Sequence, residues 1–186
     1  MDSGVPKLRV GFVLTQRFTL TAFAGFVDTL RLAADEDDRS RPIDCSWSVL
    51  GVSDQKIESS SGVKIEPWES MRDPERFDYI AVVGGLIRGG QNVPWGTNAF
   101  LSAAAKAGVP LIGLCTGSFV LARLGFLDDY TTCVSWFHRD DFTREFPQLK
   151  AMSNRLYVVD RDRLTCAGGT SVVHLAARLV ARHQGE

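Results

Sequence analysis

The stretch LIGLCTGSFVLARLG, residues 111–125, decides the fold of this chain. An apolar run leads into Cys115, small residues follow it, and apolar residues then recur at helical spacing. This pattern predicts a buried strand from Val109 to Leu114, a tight turn at Cys115 and a helix from about Thr116 to Leu124. Two interpretations of Cys115 stay open: a nucleophile held on a strand-to-helix turn, or a small residue that fits a tight place.

Strands and helices alternate along the rest of the chain. Buried strands are predicted for LRVGFVL (8–14), CSWSVLGVS (45–53) and DYIAVVGG (78–85), and an amphipathic helix for TAFAGFVDTLRLAAD (21–35). Alternation of this kind predicts an α/β fold, a three-layer sandwich with a mostly parallel sheet covered on both faces. We expect one domain over residues 1–186.

Composition excludes several classes of protein. Twenty-one basic and 22 acidic side chains give a net charge of −1, so the positive potential of a nucleic-acid-binding surface is missing. No apolar run reaches the roughly 20 residues that span a bilayer, and the N-terminus has no signal-peptide pattern. The four cysteines show neither CxxC nor His-Cys spacing, so we expect no metal, no cofactor and no disulfide framework. The sequence predicts a cytoplasmic protein that does not contact the membrane.

The turn at Cys115 has a chemical consequence. Unpaired amides at a helix N-terminus carry partial positive charge, which favours the nucleophilic thiolate. Gly84 and Gly85 end another predicted parallel strand and can present a second amide there. Together with the Thr116 amide, this amide would form an oxyanion hole or a cradle for a polar ligand atom.

Three segments resemble a known superfamily: AVVGGL (81–86), GLCTGSFVLARLGFLDD (113–129) and DRLTCAGGTSVVHLAARLV (162–180). They are similar to the class I glutamine amidotransferase-like fold of the ThiJ/PfpI superfamily. More narrowly, the chain from Leu8 to Gln184 resembles the amidase-like N-terminal domain of AraC-family transcriptional regulators. The resemblance implies a flavodoxin-like sheet with a nucleophile-elbow cysteine, and a homodimer. It also implies that DNA is bound only by a C-terminal helix-turn-helix domain absent from this chain.

The chain departs from the superfamily's catalytic pattern at two positions. Enzymatic relatives place a histidine before the tryptophan that follows the elbow helix, whereas CVSWFH (133–138) has Ser135 there. Relatives often carry a carboxylate in the first helix, and the best-aligned position here is Ala22, with Asp28 almost two turns later. These losses imply that Cys115 is vestigial, with His138 as a weak candidate for the base.

The resemblance therefore implies a ligand-sensing regulatory domain. A small metabolite, nitrogen-containing by analogy with the family, is expected to bind near Cys115. The expected ligand-binding residues are Gly84, Gly85, Leu86, Thr116, Ser135 and Trp136. The alternative is a cysteine-dependent ThiJ/PfpI-type enzyme, such as an isonitrile hydratase-like or amide hydrolase, with His138 or a water as proton carrier.

Several other side chains admit two interpretations. Trp136 and Phe137 form either an apolar wall over Cys115 or part of the core. Arg88 either binds an anionic ligand group or is an ordinary exposed loop residue. We expect His138 on the charged solvent face of a helix, and His174 at a packing or subunit contact.

Overall fold

A seven-stranded sheet forms the centre of the computed structural model, which describes residues 6–34, 43–89, 91 and 93–185. Its strands are β1 (Leu8–Leu14), β2 (Cys45–Gly51), β5 (Glu69–Ser70), β6 (Tyr79–Val83), β7 (Leu111–Leu114), β10 (Tyr157–Asp160) and β11 (Arg163–Cys166). Their spatial order is β10-β11-β7-β6-β1-β2-β5, and every neighbouring pair is parallel except β10 with β11. Without the edge strands β5 and β10, this is the flavodoxin order 2-1-3-4-5. The predicted mostly parallel sheet is confirmed.

Helices cover both faces of the sheet. On one face lie α1 (Leu20–Ala34) and α5 (Ser171–Gln184), and on the other α2 (Thr97–Lys106), α3 (Gly117–Arg123) and α4 (Arg139–Glu145). Each layer has its own buried apolar cluster against the sheet, because the strands are apolar on both sides. This confirms the three-layer sandwich. None of the helices within the described ranges is both long enough and apolar enough to cross a membrane.

Two small sheets lie outside the central one. The strands β3 (Ile57–Glu58) and β4 (Lys64–Ile65) form an antiparallel hairpin. The strands β8 (Thr131–Cys133) and β9 (Lys150–Met152) pair in parallel. Sequence periodicity misses β5, β8 and β9, because two or three residues are too few to show alternation.

The topology brings four chain segments to one edge of the sheet. The strands β1, β6, β7 and β11 run parallel, so the residues that follow them meet at their carboxyl ends. Ligand sites in open α/β sheets form at this edge. The residues that directly follow these four strands are Thr15, Gly84, Cys115 and Ala167.

Candidate functional site

Cys115 occupies a strained turn between β7 and α3. Its φ is 56°, in the left-handed region that costs a non-glycine residue roughly 1–2 kcal/mol. A nucleophile elbow requires this backbone conformation, because it lifts the side chain out of the sheet edge. Cys115 is partly exposed, whereas the three other cysteines are buried.

Glycines permit the tight packing of the elbow against β6. A Cβ on Gly84 would overlap the backbone of Thr116 and Gly117, and one on Gly117 would overlap the Val82 carbonyl. Larger residues at these positions would push the elbow away from the sheet. Steric fit therefore explains why both positions are glycine.

Few groups contact the Cys115 sulfur. The Thr19 hydroxyl lies 3.6 Å from Sγ. A Cβ added to Gly168 would lie 2.8 Å from both Cβ and Sγ of Cys115, so the chain after β11 passes directly over the thiol. Among the described residues, no imidazole or carboxyl group makes a hydrogen bond or ion pair with this sulfur.

The backbone amides beside the elbow differ in availability. The Gly84 amide donates to the Leu114 carbonyl at 3.1 Å and is used by the sheet. No hydrogen bond to another described residue engages the Gly85 and Thr116 amides. Gly85 lies opposite Phe18 in an antiparallel bridge whose hydrogen bonds are made by the flanking residues, so the Gly85 amide does not bond to Phe18. Both amides are thus available to a polar ligand atom.

The Thr116 side chain stabilises the loop that follows β6. Its hydroxyl donates to the Gly85 carbonyl at 2.7 Å and accepts from Gln91 Nε2 at 2.5 Å. Gln91 Oε1 in turn accepts from Arg123 on α3, and the Arg123 guanidinium makes a two-pronged contact with Glu145 on α4 at 2.6 and 3.0 Å. This chain of polar contacts links the elbow to α4.

The segment after β8 contains two further expected ligand-binding residues, Ser135 and Trp136. Ser135 precedes the 3₁₀ turn Trp136–His138, and its hydroxyl accepts from the Phe137 amide at 3.3 Å. Trp136 is 78 % exposed and Phe137 69 % exposed, with their rings edge to face at 5.9 Å. These two aromatic rings do not belong to the core.

His138 is less exposed than we expected. Its side chain is 23 % exposed, and its ring packs edge to face against Phe137 at 4.8 Å and Phe119 at 6.2 Å. Asp141 Oδ2 lies 3.6 Å from Nδ1, too far for a hydrogen bond, and Nδ1 is buried without a hydrogen-bond partner in the described part of the chain. The solvent-face prediction was wrong, because the 3₁₀ turn rotates His138 inward onto α3.

A cleft of about 650 Å³ opens between the loop after β6 and α4. It is lined by Leu86, Ile87, Arg88, Phe137, His138, Asp141, Arg144 and Glu145. The lining thus combines apolar surface with both signs of charge. Of the expected ligand-binding residues only Leu86 lines it, and Cys115 does not, so the cleft and the elbow are neighbouring features.

Sequence patterns do not distinguish several residues of the site. Thr19, Gln91 and Asp141 are ordinary polar residues that no spacing rule distinguishes. Gly168 follows β11, and the carboxyl ends of parallel strands share one edge, so its position after a strand was the available indication. His174 is exposed on α5.

The three other thiols are protonated and buried. Burial raises the pKa of Cys133 to about 12. Burial, together with the weaker effect of the neighbouring Asp44 charge, raises the pKa of Cys45 to about 11. Burial also raises the pKa of Cys166, partly offset by a hydrogen bond from the Cys115 backbone amide. Cys45 begins β2 rather than following a strand, so Cys115 alone has elbow geometry among these four.

The same fold is found in known proteins. The model of the DJ-1/PfpI family matches residues 9–182. The chain belongs to the DJ-1/PfpI family. This confirms the resemblance to the ThiJ/PfpI superfamily.

Relatives of this DJ-1/PfpI chain include regulators and an enzyme. The HTH-type transcriptional regulator GbdR of Pseudomonas aeruginosa is 34% identical over 177 residues, 95% of this chain and 47% of the regulator. The isonitrile hydratase of Pseudomonas putida is 26% identical over 162 residues, 87% of this chain and 65% of the enzyme. The chain spans about half the length of the regulators it matches.

Solved structures agree with the fold. An AraC family transcriptional regulator from Pseudomonas putida superposes with a TM-score of 0.77 at 25% identity, covering 96% of this chain and 94% of that one. Oxidised DJ-1 from Toxoplasma gondii gives a TM-score of 0.72 at 19% identity, covering 96% and 91%. The flavodoxin-like DJ-1/PfpI fold is therefore shared with both a regulator and a DJ-1 protein.

Proposed function

We propose that this chain is the ligand-sensing domain of an AraC-type transcriptional regulator and does not turn over its ligand. The observation that carries the proposal is the state of Cys115: the elbow is intact, but the sulfur has Thr19 as its polar neighbour instead of an imidazole and a carboxylate. A thiol nucleophile needs a base within hydrogen-bond reach to take and return protons. Similarity to GbdR over 95% of this chain supports a regulatory role.

The cleft beside the elbow provides the recognition chemistry. Arg88 offers a guanidinium for an anionic group, and Asp141 and Glu145 offer carboxylates for a protonated nitrogen. The exposed faces of Leu86 and Phe137 cover an apolar part of the ligand. We expect a small nitrogen-containing metabolite that reaches from the cleft toward the free Gly85 and Thr116 amides.

The polar contacts from Thr116 through Gln91 and Arg123 to Glu145 give the ligand a way to act at a distance. A ligand that pairs with Glu145 competes with Arg123 and so changes the position of α4 relative to the elbow. In the proposed homodimer, this change would shift the equilibrium between two arrangements of the DNA-binding domains. Such a regulator acts in the cytoplasm and contacts DNA only through its helix-turn-helix domain.

A second function has one observation in its favour. The unpaired Gly85 and Thr116 amides lie beside an elbow thiol, as an oxyanion hole requires. A cysteine-dependent enzyme like the isonitrile hydratase would use Cys115 as nucleophile, with His138 or a water as proton carrier. Its weakness is that His138 Nδ1 is buried beside Asp141 and makes no hydrogen bond with any described residue.

Calorimetric titration with a panel of small amines, amides, amino acids, nitriles and isonitriles tests the proposal. One or more should bind, and saturation at 100 times Kd should stabilise the chain by about 2.7 kcal/mol, a rise in Tm of roughly 5–10 °C. Arg88→Ala and His138→Ala should each weaken binding. Arg72→Ala removes an exposed arginine elsewhere and should not. If no compound binds, or if the bound compound is consumed, the sensor proposal is wrong.

A further inference from the structure

A groove on the opposite side of the sheet from the cleft combines three basic side chains. His174, Arg178 and Arg182 follow each other at intervals of four along α5, so they lie on one face of the helix. All three are exposed. A single helix face thus presents two guanidiniums and an imidazole over two turns.

The groove has a floor and a second wall. Ala177 and Ala181 lie on the same face of α5 and leave room between the long side chains. Tyr157, at the start of the edge strand β10, lines the other side, and the open groove has a volume of about 610 Å³. The groove is therefore large enough for a small molecule and separate from the cleft, with which it shares no lining residue.

The charges in the groove are not neutralised by the described parts of the chain. Arg9, Arg123 and Arg163 elsewhere each pair with a carboxylate, at 3.3, 2.6 and 2.7 Å. Within the described residues, no carboxylate pairs with His174, Arg178 or Arg182, and no acidic side chain lines the groove. Like charges four residues apart on a helix repel each other, so an anion between them would relieve the repulsion.

We propose that this groove is a second binding site, which takes a small anion with two or more charged oxygen groups. The residues Arg178 and Arg182 are about 6 Å apart along the helix axis, close to the spacing of the charged groups of a diphosphate or a short dicarboxylate. Each planar guanidinium binds such a group through two parallel hydrogen bonds. The Tyr157 hydroxyl and the His174 ring add donors at the side and end of the groove.

The site lies where the last helix packs against the edge strand β10. A bound anion would link the last helix to the edge strand β10, and α5 also packs against α1 in the same layer. The ligand would thus stabilise this layer without contact with Cys115. This inference does not depend on the proposed function, because none of its residues belongs to the elbow or the cleft.

Isothermal titration of the chain with pyrophosphate and, separately, succinate at constant ionic strength tests the site. Saturable binding of at least one of them, at one per chain, is expected. Binding of pyrophosphate alone identifies a phosphate ligand, and binding of succinate alone a dicarboxylate. R178A/R182A should weaken binding at least about tenfold, because charge-assisted hydrogen bonds are lost.

Two further variants distinguish binding in the groove from general attraction to the positive charge of the chain. Ala177→Leu keeps every charge but fills the groove floor, and it should also weaken binding about tenfold or more. R72A/R139A removes two exposed arginines elsewhere and should bind like the parent chain. Leucine and alanine are good helix formers, so these changes on an exposed face of α5 leave the fold intact.

The proposal is overturned by any of three results. One is the absence of saturable binding of either anion to the parent chain. Another is an equal loss of affinity in R178A/R182A and R72A/R139A. The last is binding of duplex DNA or polyglutamate through Arg178 and Arg182 without binding of either small anion, which would make the groove a macromolecular contact surface.

Discussion

At the scale of single residues, the elbow depends on backbone conformations that most side chains avoid. Cys115 is left-handed at φ 56°, and Gly168 passes over it at φ 92°. The first conformation exposes a thiol, and the second lets the chain approach that thiol without a Cβ between them. Both features place the thiol at the sheet edge, where the Thr19 hydroxyl is its polar neighbour among the described side chains.

Gly168→Ala tests this close approach. The new Cβ would lie 2.8 Å from Cβ and Sγ of Cys115, and φ 92° strains an alanine, so we expect a loss of unfolding free energy of at least about 1–3 kcal/mol. Urea denaturation measures it. Gly169→Ala is the matched control, because φ is also positive, at 58°, but no atom lies within 4 Å of the new Cβ. Equal losses in the two variants would show that the contact with Cys115 carries no energy.

At the scale of elements, one glutamine connects the loop after β6 to α3 and, through Arg123, to α4. Gln91 donates to the carbonyl and hydroxyl of Thr116 and accepts from Arg123. Each such hydrogen bond contributes about 0.5–1.5 kcal/mol. The position of the loop after β6, and with it the width of the cleft, therefore depends on this side chain.

Gln91→Ala should loosen that loop while leaving the sheet intact. We expect faster hydrogen exchange of the amides in residues 86–89 and at the start of α3, since the hydrogen bonds that connect them are lost. Hydrogen-exchange mass spectrometry is the measurement. Gln55→Ala, in an exposed turn, should change neither region. Unchanged exchange in Gln91→Ala would remove the link we assign between the elbow and α4.

The sequence predicts long periodic elements well and assembled surfaces poorly. The segment from β7 to α3 follows the prediction because a buried run, a cysteine turn and a helical repeat are all local patterns. The cleft does not, because its walls come from the loop after β6 and from α4, which no periodicity relates. His138 shows the same limit: HRDDFTRE reads as a solvent face, but the 3₁₀ turn before α4 directs its ring onto Phe119.

At the scale of the whole molecule, buried thiols make stability depend on pH. The pKa of Cys133 is about 12 in the folded chain, against an ordinary value of 9.0. Above pH 9 the unfolded chain therefore releases a proton that the folded chain keeps, so the free energy of unfolding falls as pH rises toward 12. One such proton corresponds to about 1.4 kcal/mol per pH unit.

We expect urea-unfolding curves to show this decline between pH 8.5 and 10. Two tyrosines contribute in the same direction at higher pH: burial raises the pKa of Tyr79, and a hydrogen bond with Asp162 raises that of Tyr130. Cys133→Ala should have a shallower decline than the parent chain. Ser53→Ala, which removes no titratable group from an exposed position, serves as the comparison and should retain the steeper one. Parallel declines in all three chains would argue against a buried neutral thiol at Cys133.

The most direct test of the account compares the chain with Cys115→Ala under single-turnover conditions, with protein in excess over each amide, nitrile or isonitrile that binds. Product is measured by mass spectrometry over hours. Because no described imidazole or carboxylate bonds to the sulfur, we predict the same absence of product and of acyl or imidate adducts in both chains, while binding persists. Product or adduct that forms in the parent chain and not in Cys115→Ala would contradict the account and identify the chain as an enzyme.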